Sequence, residues 1–487
     1  MALICIFHDR SEINHARSIV AVVSAAGHKA WLTDTDSVGD WRKDVQAALS
    51  RPECVGAIVV WSPDSIKNPI VVEEAELCLH LGRRILGVVI KGVELPLGLR
   101  WTPRVVADSW DGTAQSIDQL PLRQKMMRLT QPESETSRIS EVVLNGKKLR
   151  CPAFVFSVSS FETQISPAKT LELLDLFTPP AVLVSAFDVL GTRDASHDVT
   201  PDDNLLKKLG NRDTVIFLDS GNYEAYRFEN EWWQRSPWLL KEAISRLRTD
   251  VVFSHDRIVD LATKNDVRPD KIVSDLLLDL ERDEKSYQGR PISPIIHAPR
   301  LEDQTFYSAI LPKLCADIAK SKKPPLIAVA ERELGDGILE RARRVRSIRS
   351  ALDSNGFDQP LHILGTGNPI SMLILSFAGG NVFDGLEWCR TVVDSATMRL
   401  NHFHHYDLFV AQRSEIQDAL LREYLTNNEE LLTAKAKAVL HNLYFFKQFV
   451  EEIQQAHQNR AYEELFDKYL PGEFTRISRR IDLEDPR

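Results

Sequence analysis

LHILGTGNPISMLILSFAGGNVFDG, residues 361–385, reads as an apolar strand (Leu361 to Leu364), a glycine turn, a helix-patterned segment and a second apolar strand (Asn381 to Phe383). The same alternation runs back along the chain through Ala153 to Val158, Ala181 to Phe187, Thr214 to Leu218, Val251 to Ser254, Pro294 to His297 and Leu326 to Val329. Roughly eight strand–helix units over roughly 240 residues match the strand number and size of a closed (β/α)8 barrel. Ahead of them, Val142-Val143-Leu144 and Lys147-Lys148-Leu149 flank Asn145-Gly146. That pair is a hairpin signal, because both turn residues tolerate positive φ.

The first 125 residues follow a second alternating pattern. Leu3 to Phe7, Lys29 to Leu32, Ala57 to Trp61 and Ile85 to Ile90 are strand runs separated by amphipathic helices. Continuous apolar strands suit a parallel sheet covered on both faces, so this part reads as a flavodoxin-like α/β domain. Domain limits are expected at 1–125, a linker at 126–139 centred on TQPESETSR, a barrel at 140–407, and a helical region at 408–487 whose clearest amphipathic run is Leu431 to Gln458. With no strict heptad, that last region reads as a packing appendage rather than a coiled coil.

Composition agrees with a folded, water-exposed chain. Of 487 residues 43% are hydrophobic and 26% charged, and the net charge is −9. Disorder, collagen and coiled-coil classes are thereby excluded, and a mild acidic excess argues against indiscriminate nucleic-acid binding. No run approaches the roughly 18–20 apolar residues of a membrane span. The first strand meets charged residues at once, so neither signal peptide nor anchor is expected. Six scattered cysteines without C-x-x-C spacing fit reduced thiols in a cytoplasm and give no thiolate zinc site.

In such a barrel, polar residues at the C-terminal strand ends face the mouth where chemistry occurs. The third strand delivers Asp219, the fourth His255 and Asp256, the fifth His297, the sixth Glu331, the seventh Gly365 and Gly367, and the eighth Asp384. One Asp alone also serves as a helix N-cap. Three at mouth positions read as a site. The helix after the sixth strand carries Arg341, Arg343, Arg344, Arg346 and Arg349, either a nucleic-acid stripe or a solvated face.

Pro152-Ala153-Phe154, Asp219-Ser220-Gly221, Val329 to Gly335, Gly365-Thr366-Gly367-x-Pro369 and Gly380-x-x-Phe383-Asp384 occur in an order that resembles the tRNA-guanine transglycosylase (queuine tRNA-ribosyltransferase) family across about residues 140–405. The resemblance implies a TIM barrel in which Asp384 attacks the ribose anomeric carbon, Asp219 assists base exchange, Asp256 holds the base and Arg390 contacts a phosphate. It implies tRNA, DNA or a nucleobase or nucleotide as ligand. Departures fall on the base-reading wall. The family's Ser-Gly-Gly-Tyr/Phe-Gln is here Ser220-Gly221-Asn222-Tyr223-Glu224, its Gln is His297, and its Gly-Gly-Leu is Ala330-Glu331-Arg332. Its zinc set is missing too, since Cys389 with His402, His404 and His405 matches no known structural zinc pattern, so no metal is expected.

Residues 1–110 resemble a TIR (Toll/interleukin receptor) domain through Phe7-His8-Asp9, Gly27 to Leu32, the polar loop Thr33 to Asp40, Trp41, and Ser62-Pro63-Asp64-Ser65 ahead of Asn68-Pro69-Ile70-Val71-Val72-Glu73-Glu74. This second resemblance implies cleavage of the nicotinamide–ribose bond of NAD as substrate, with Glu74 catalytic and Glu73 as its open alternative. Phe7, His8 and Trp41 would then contact NAD, and TIR-mediated homo-oligomers would form. Together the two resemblances imply a cytoplasmic NAD+ nucleosidase of the antiphage-defence type, switched by a barrel that senses a nucleic acid, modified base or nucleotide. The alternatives are a tRNA- or DNA-guanine transglycosylase with TIR as assembly module, and a non-catalytic signalling scaffold.

Overall fold

The computed structural model describes residues 1–33, 41–90, 92–100, 102–107, 122, 125–126, 139–161, 163–190, 213–222, 238–287, 289–416 and 418–482. The expected linker motif at 130–138, the polar loop from 34 to 40, and Tyr223 and Glu224 lie outside them. The chain divides into two compact units, Met1–Glu135 with Gln455–Gly472, and Thr136–Gln454 with Glu473–Arg487.

The first unit is built on a five-stranded parallel sheet. Its strands are β1 (Leu3–Phe7), β2 (Lys29–Leu32), β3 (Cys54–Trp61), β4 (Arg84–Ile90) and β5 (Arg104–Ala107), in the order β2-β1-β3-β4-β5. That is the flavodoxin-like order. Alternate residues of β1 and β3 feed opposite faces, as period-two side chains must. Cys5, Phe7, Val59 and Trp61 pack with Val45 and Leu49 of α2 (Trp41–Leu49) and Val71 and Ala75 of α3 (Pro69–His80). Ile4, Ile6, Ile58 and Val60 pack with Ala16, Ile19 and Val23 of α1 (Ile13–Ala25). Gly56 is required where β3 begins to pair with β4, since a Cβ there would lie 2.2 Å from the Arg84 carbonyl oxygen. The C-terminal helices divide between the units. Glu464, in the helix Tyr462–Tyr469, accepts the Arg104 backbone N–H of β5 at 3.0 Å and faces Lys125 at 3.4 Å.

The second unit opens with the predicted hairpin, β6 (Glu141–Leu144) and β7 (Lys147–Arg150), turned through Asn145 and Gly146 at φ 50° and 84°. Eight parallel strands follow, with a short pair, β12 (Asp260–Leu261) and β14 (Arg300–Leu301), outside the barrel. The barrel strands are β8 (Ala153–Val158), β9 (Ala181–Ser185), β10 (Val215–Asp219), β11 (Val251–Phe253), β13 (Ile292–Ser293), β15 (Ile327–Ala330), β16 (Leu361–Leu364) and β17 (Val382–Gly385). Their order, β13-β11-β10-β9-β8-β17-β16-β15, is nearly closed, and a parallel bridge from Ile295 to Ala328 spans the remaining seam. The fifth strand, Ile292–Ser293, falls just ahead of the expected Pro294 to His297, because a proline at 294 cannot donate to a ladder. The Ser254 hydroxyl takes up part of that role, accepting from Ile295 N at 2.9 Å.

The hairpin sits at the N-terminal end of the barrel, where Lys147 reaches the Thr214 carbonyl at 2.6 Å and Asp250 at 2.8 Å, just ahead of β10 and β11. Val142, Leu144 and Leu149 join the interior core with Val155, Phe217 and Phe253. The opposite end is left for the site. Among the described residues no helix is long and apolar enough to cross a membrane.

The arginine-rich helix, Ile338–Asp353, corrects the expectation of either a stripe or a solvated face. Arg344 and Arg349 are buried, Arg341 pairs with Glu331 at 2.8 Å, and Arg346 donates to the Phe377 carbonyl at 3.1 Å. Arg349 donates to Asp353 and to the Gln359 carbonyl, both at 2.7 Å. Arg341, Arg346 and Arg349 tie the helix to its neighbours.

Candidate active site

Asp384 stands near the C-terminal end of β17, and the strands on either side supply its donors. Ser157 Oγ of β8 donates to Oδ2 at 3.0 Å, while His362 Nε2 of β16 and the Gly365 N–H donate to Oδ1 at 3.0 and 3.2 Å. Gly365 adopts φ +76°, which a glycine takes at no steric cost. His362 is fully buried with Phe217 and Phe253 at 5.9 and 5.5 Å, so packing fixes its ring. Three donors from three elements leave the 8%-exposed carboxylate little rotational freedom. Oriented in this way, it can act as a nucleophile toward a carbon presented at the mouth.

A second group forms around His297. Its Nδ1 bonds Glu333 Oε1 at 2.9 Å and its Nε2 bonds Asp256 Oδ1 at 3.2 Å. Glu333 is buried, and its other oxygen accepts the Ala298 N–H at 2.9 Å. Burial alone would lower the His297 pKa, yet the hydrogen bonds and charges of Asp256 and Glu333 push it up to about 9. The imidazole is therefore a cation at neutral pH. Burial likewise works to raise Asp256, but the His297 bond and charge hold it below the ordinary carboxylate range. Ser220 Oγ donates to the other Asp256 oxygen, Oδ2, at 3.4 Å.

Asp219 ends β10 and accepts the Gly221 N–H at 3.1 Å. Gly221 has φ +81° and a Cβ there would meet Phe187 N at 2.6 Å, so only glycine fits this turn. Gly367 packs under the Glu387 carboxyl. Glu331 faces Arg341, and Arg390 donates to the Phe161 carbonyl at 3.0 Å with its guanidinium over the Phe161 ring. Asp219, Asp256, His297 and Asp384 thus gather at one barrel end through parallel strands and the turns that follow them.

Three participants were missed from sequence: Ser157, His362 and Glu333. The first two lie inside apolar strands, where a lone polar residue is the only signal. Position after the sixth strand favours Glu331, but the 3-10 turn Glu331–Glu333 carries the buried Glu333 inward. Among the described residues no group of three or more His, Cys, Asp or Glu is arranged to hold a metal ion.

In the first unit Glu74 lies on α3 with 1% exposure. Burial pushes its pKa up to about 8, against a hydrogen bond with Thr33. Its Oε1 has no hydrogen-bond partner. Thr33 in turn donates to the Ile6 carbonyl of β1, which sets Glu74 beside the C-terminal edge of the sheet. Glu73 instead forms an exposed pair with Arg42 at 2.6 Å. His8 is buried with Nδ1 on the Asp9 carbonyl. Phe7 is wholly enclosed in the core, whereas Trp41 is only partly buried. Of these two expected stacking rings, Trp41 is the one with an accessible surface.

No family model matches the chain. It is 24% identical over 338 residues to a tRNA-guanine(15) transglycosylase of Pyrococcus abyssi, 21% over 334 residues to that of Thermococcus onnurineus, and 23% over 340 residues to that of Pyrococcus furiosus. Each alignment covers 66% of this chain and 52% of the relative, so the chain spans about half the length of the curated relatives it matches. These similarities make it a distant relative of the archaeal transglycosylases.

Proposed function

We propose that the barrel exchanges a purine-type base in a polynucleotide, with Asp384 as the nucleophile. The observation that carries this reading is the three-donor clamp from Ser157, His362 and Gly365, which fixes one carboxylate near the C-terminal end of its strand. Asp384 attacks C1′ from the face opposite the base, the N-glycosidic electron pair leaves with the base, and a glycosyl ester forms. Its negative charge stabilises the oxocarbenium-like transition state. Asp219 gives the departing base its proton and takes one from the incoming base, which then attacks C1′ and displaces Asp384. Asp256, its charge balanced in part by the His297 it shares with Glu333, would accept from the base through the oxygen that also meets Ser220. Incubation with tRNA or DNA and tritiated guanine or a tritiated 7-deazaguanine tests the reading; incorporation that Asp384→Asn abolishes supports it, and none with the wild type overturns it.

A second reading concerns the first unit: cleavage of NAD at Glu74. The unpartnered, buried Oε1 beside the sheet's C-terminal edge favours it, because ligands of such sheets bind in that crevice. The pyridinium charge of NAD would favour the ionised form of Glu74, its proton passing to solvent, and the carboxylate would then stabilise the ribosyl cation as neutral nicotinamide leaves and water adds at C1′. Nicotinamide release that survives Glu74→Gln overturns this reading. Release that changes when RNA is added would link the two activities.

A further inference from the structure

Glu387 follows the nucleophile by three residues and has no part in the mechanism above. Its carboxyl is wedged between two glycines: a Cβ at Gly367 would lie 1.7 Å from Oε2 and one at Gly385 2.6 Å from it. Oε2 is enclosed and has no hydrogen-bond partner, while the residue as a whole is partly exposed. Gly385 directly follows Asp384 in the chain, so Glu387 shares the nucleophile's side of the mouth.

The stereochemistry of nucleosides says what lies on that side. In a β-nucleoside the base projects from one face of the sugar and the 2′- and 3′-hydroxyls from the other. A nucleophile that displaces the base in line approaches from the hydroxyl face. A carboxyl packed beside that nucleophile therefore meets the hydroxyl on the carbon next to C1′.

We propose that Glu387 binds the 2′-hydroxyl of the target nucleotide and so restricts base exchange to RNA. This rests on the base-exchange reading above. The 2′-hydroxyl is the group by which a protein distinguishes RNA from DNA, and hydrogen bonds to the 2-hydroxyl strengthen in glycosyl-transfer transition states. Burial, joined by the charges of Asp384 and Glu331 and opposed by Arg390, holds the Glu387 pKa above the ordinary range. Either oxygen of that carboxyl can accept a hydrogen bond from the 2′-hydroxyl.

The test compares a tRNA transcript with the same sequence made as DNA, using tritiated guanine and a tritiated 7-deazaguanine. The wild type is expected to label the RNA at least tenfold faster. Glu387→Leu should cut that ratio about tenfold by slowing the RNA reaction alone, and Glu387→Gln, which still hydrogen-bonds a hydroxyl, should keep most of the ratio. Equal wild-type labelling of RNA and DNA overturns this proposal and leaves the base-exchange reading standing. So does a Leu variant that slows both substrates alike while the Gln variant shows the protein remains folded. Labelling of neither nucleic acid overturns both.

Discussion

His297→Ala removes the imidazolium that bridges Asp256 and Glu333. The folded His297 pKa of about 9 stands above its ordinary 6.5. At about 1.4 kcal/mol per unit, that difference is worth about 3 kcal/mol of stability to the protonated form. An independent route gives a similar size, since unpairing a buried ion pair costs about 3–5 kcal/mol. The sign follows from the raised pKa. The contribution is complete below pH 6.5 and is lost as pH rises through 9. Amide exchange on peptides covering 292–300 and 327–335, corrected for intrinsic rate, reads the local opening free energy at pH 7 and pH 10. The wild type should lose about 3 kcal/mol between those values, the alanine variant should start lower by that amount and change little, and adding Glu333→Gln should recover part of the loss. A variant cost below about 1 kcal/mol at pH 7, or a wild type indifferent to alkaline pH, would refute the charged bridge.

Glu74→Gln should stabilise the first unit while abolishing NAD cleavage. The folded pKa of about 8 against an ordinary 4.5 means that the neutral form is favoured in the fold, so the cost is absent below pH 4.5 and grows to about 3 kcal/mol at pH 7. Thermal melting at pH 4 and pH 7 checks it, with stabilisation expected only at pH 7. Arg349→Ala should lower barrel stability by about 3–5 kcal/mol, because Asp353 is left without its guanidinium. Lysine should restore little, since one ammonium cannot reproduce contacts with Asp353 and the Gln359 carbonyl together. Urea unfolding of the three proteins measures both.

What sequence reveals about this chain follows from what each residue must satisfy. Strands buried on both faces must be apolar throughout, so β1, β3, β8 and β10 announce themselves. Asn145-Gly146 does the same for the hairpin, because its backbone demands are local. β5 stays hidden, four residues long with Val106 about half exposed. The carboxylates at strand ends were legible because a barrel makes position along a strand equivalent to position at the mouth. Their partners were not. Ser157 and His362 select Asp384 from adjacent strands, a relation set by strand order and register. Arginine spacing on Ile338–Asp353 misled for the same reason: helical periodicity fixes a face, and only the packed neighbours decide whether water or Asp353 meets it.

On the base-exchange reading, Asp384 forms a covalent bond to the sugar. Incubating the protein with tRNA and with DNA in the absence of acceptor base, quenching, digesting both components and weighing the peptide that contains residue 384 tests it directly. A nucleotide adduct is expected on Asp384 that disappears on adding acceptor base and never forms in Asp384→Asn. An adduct on another residue, no wild-type adduct with either nucleic acid, or base incorporation that survives Asp384→Asn would contradict it.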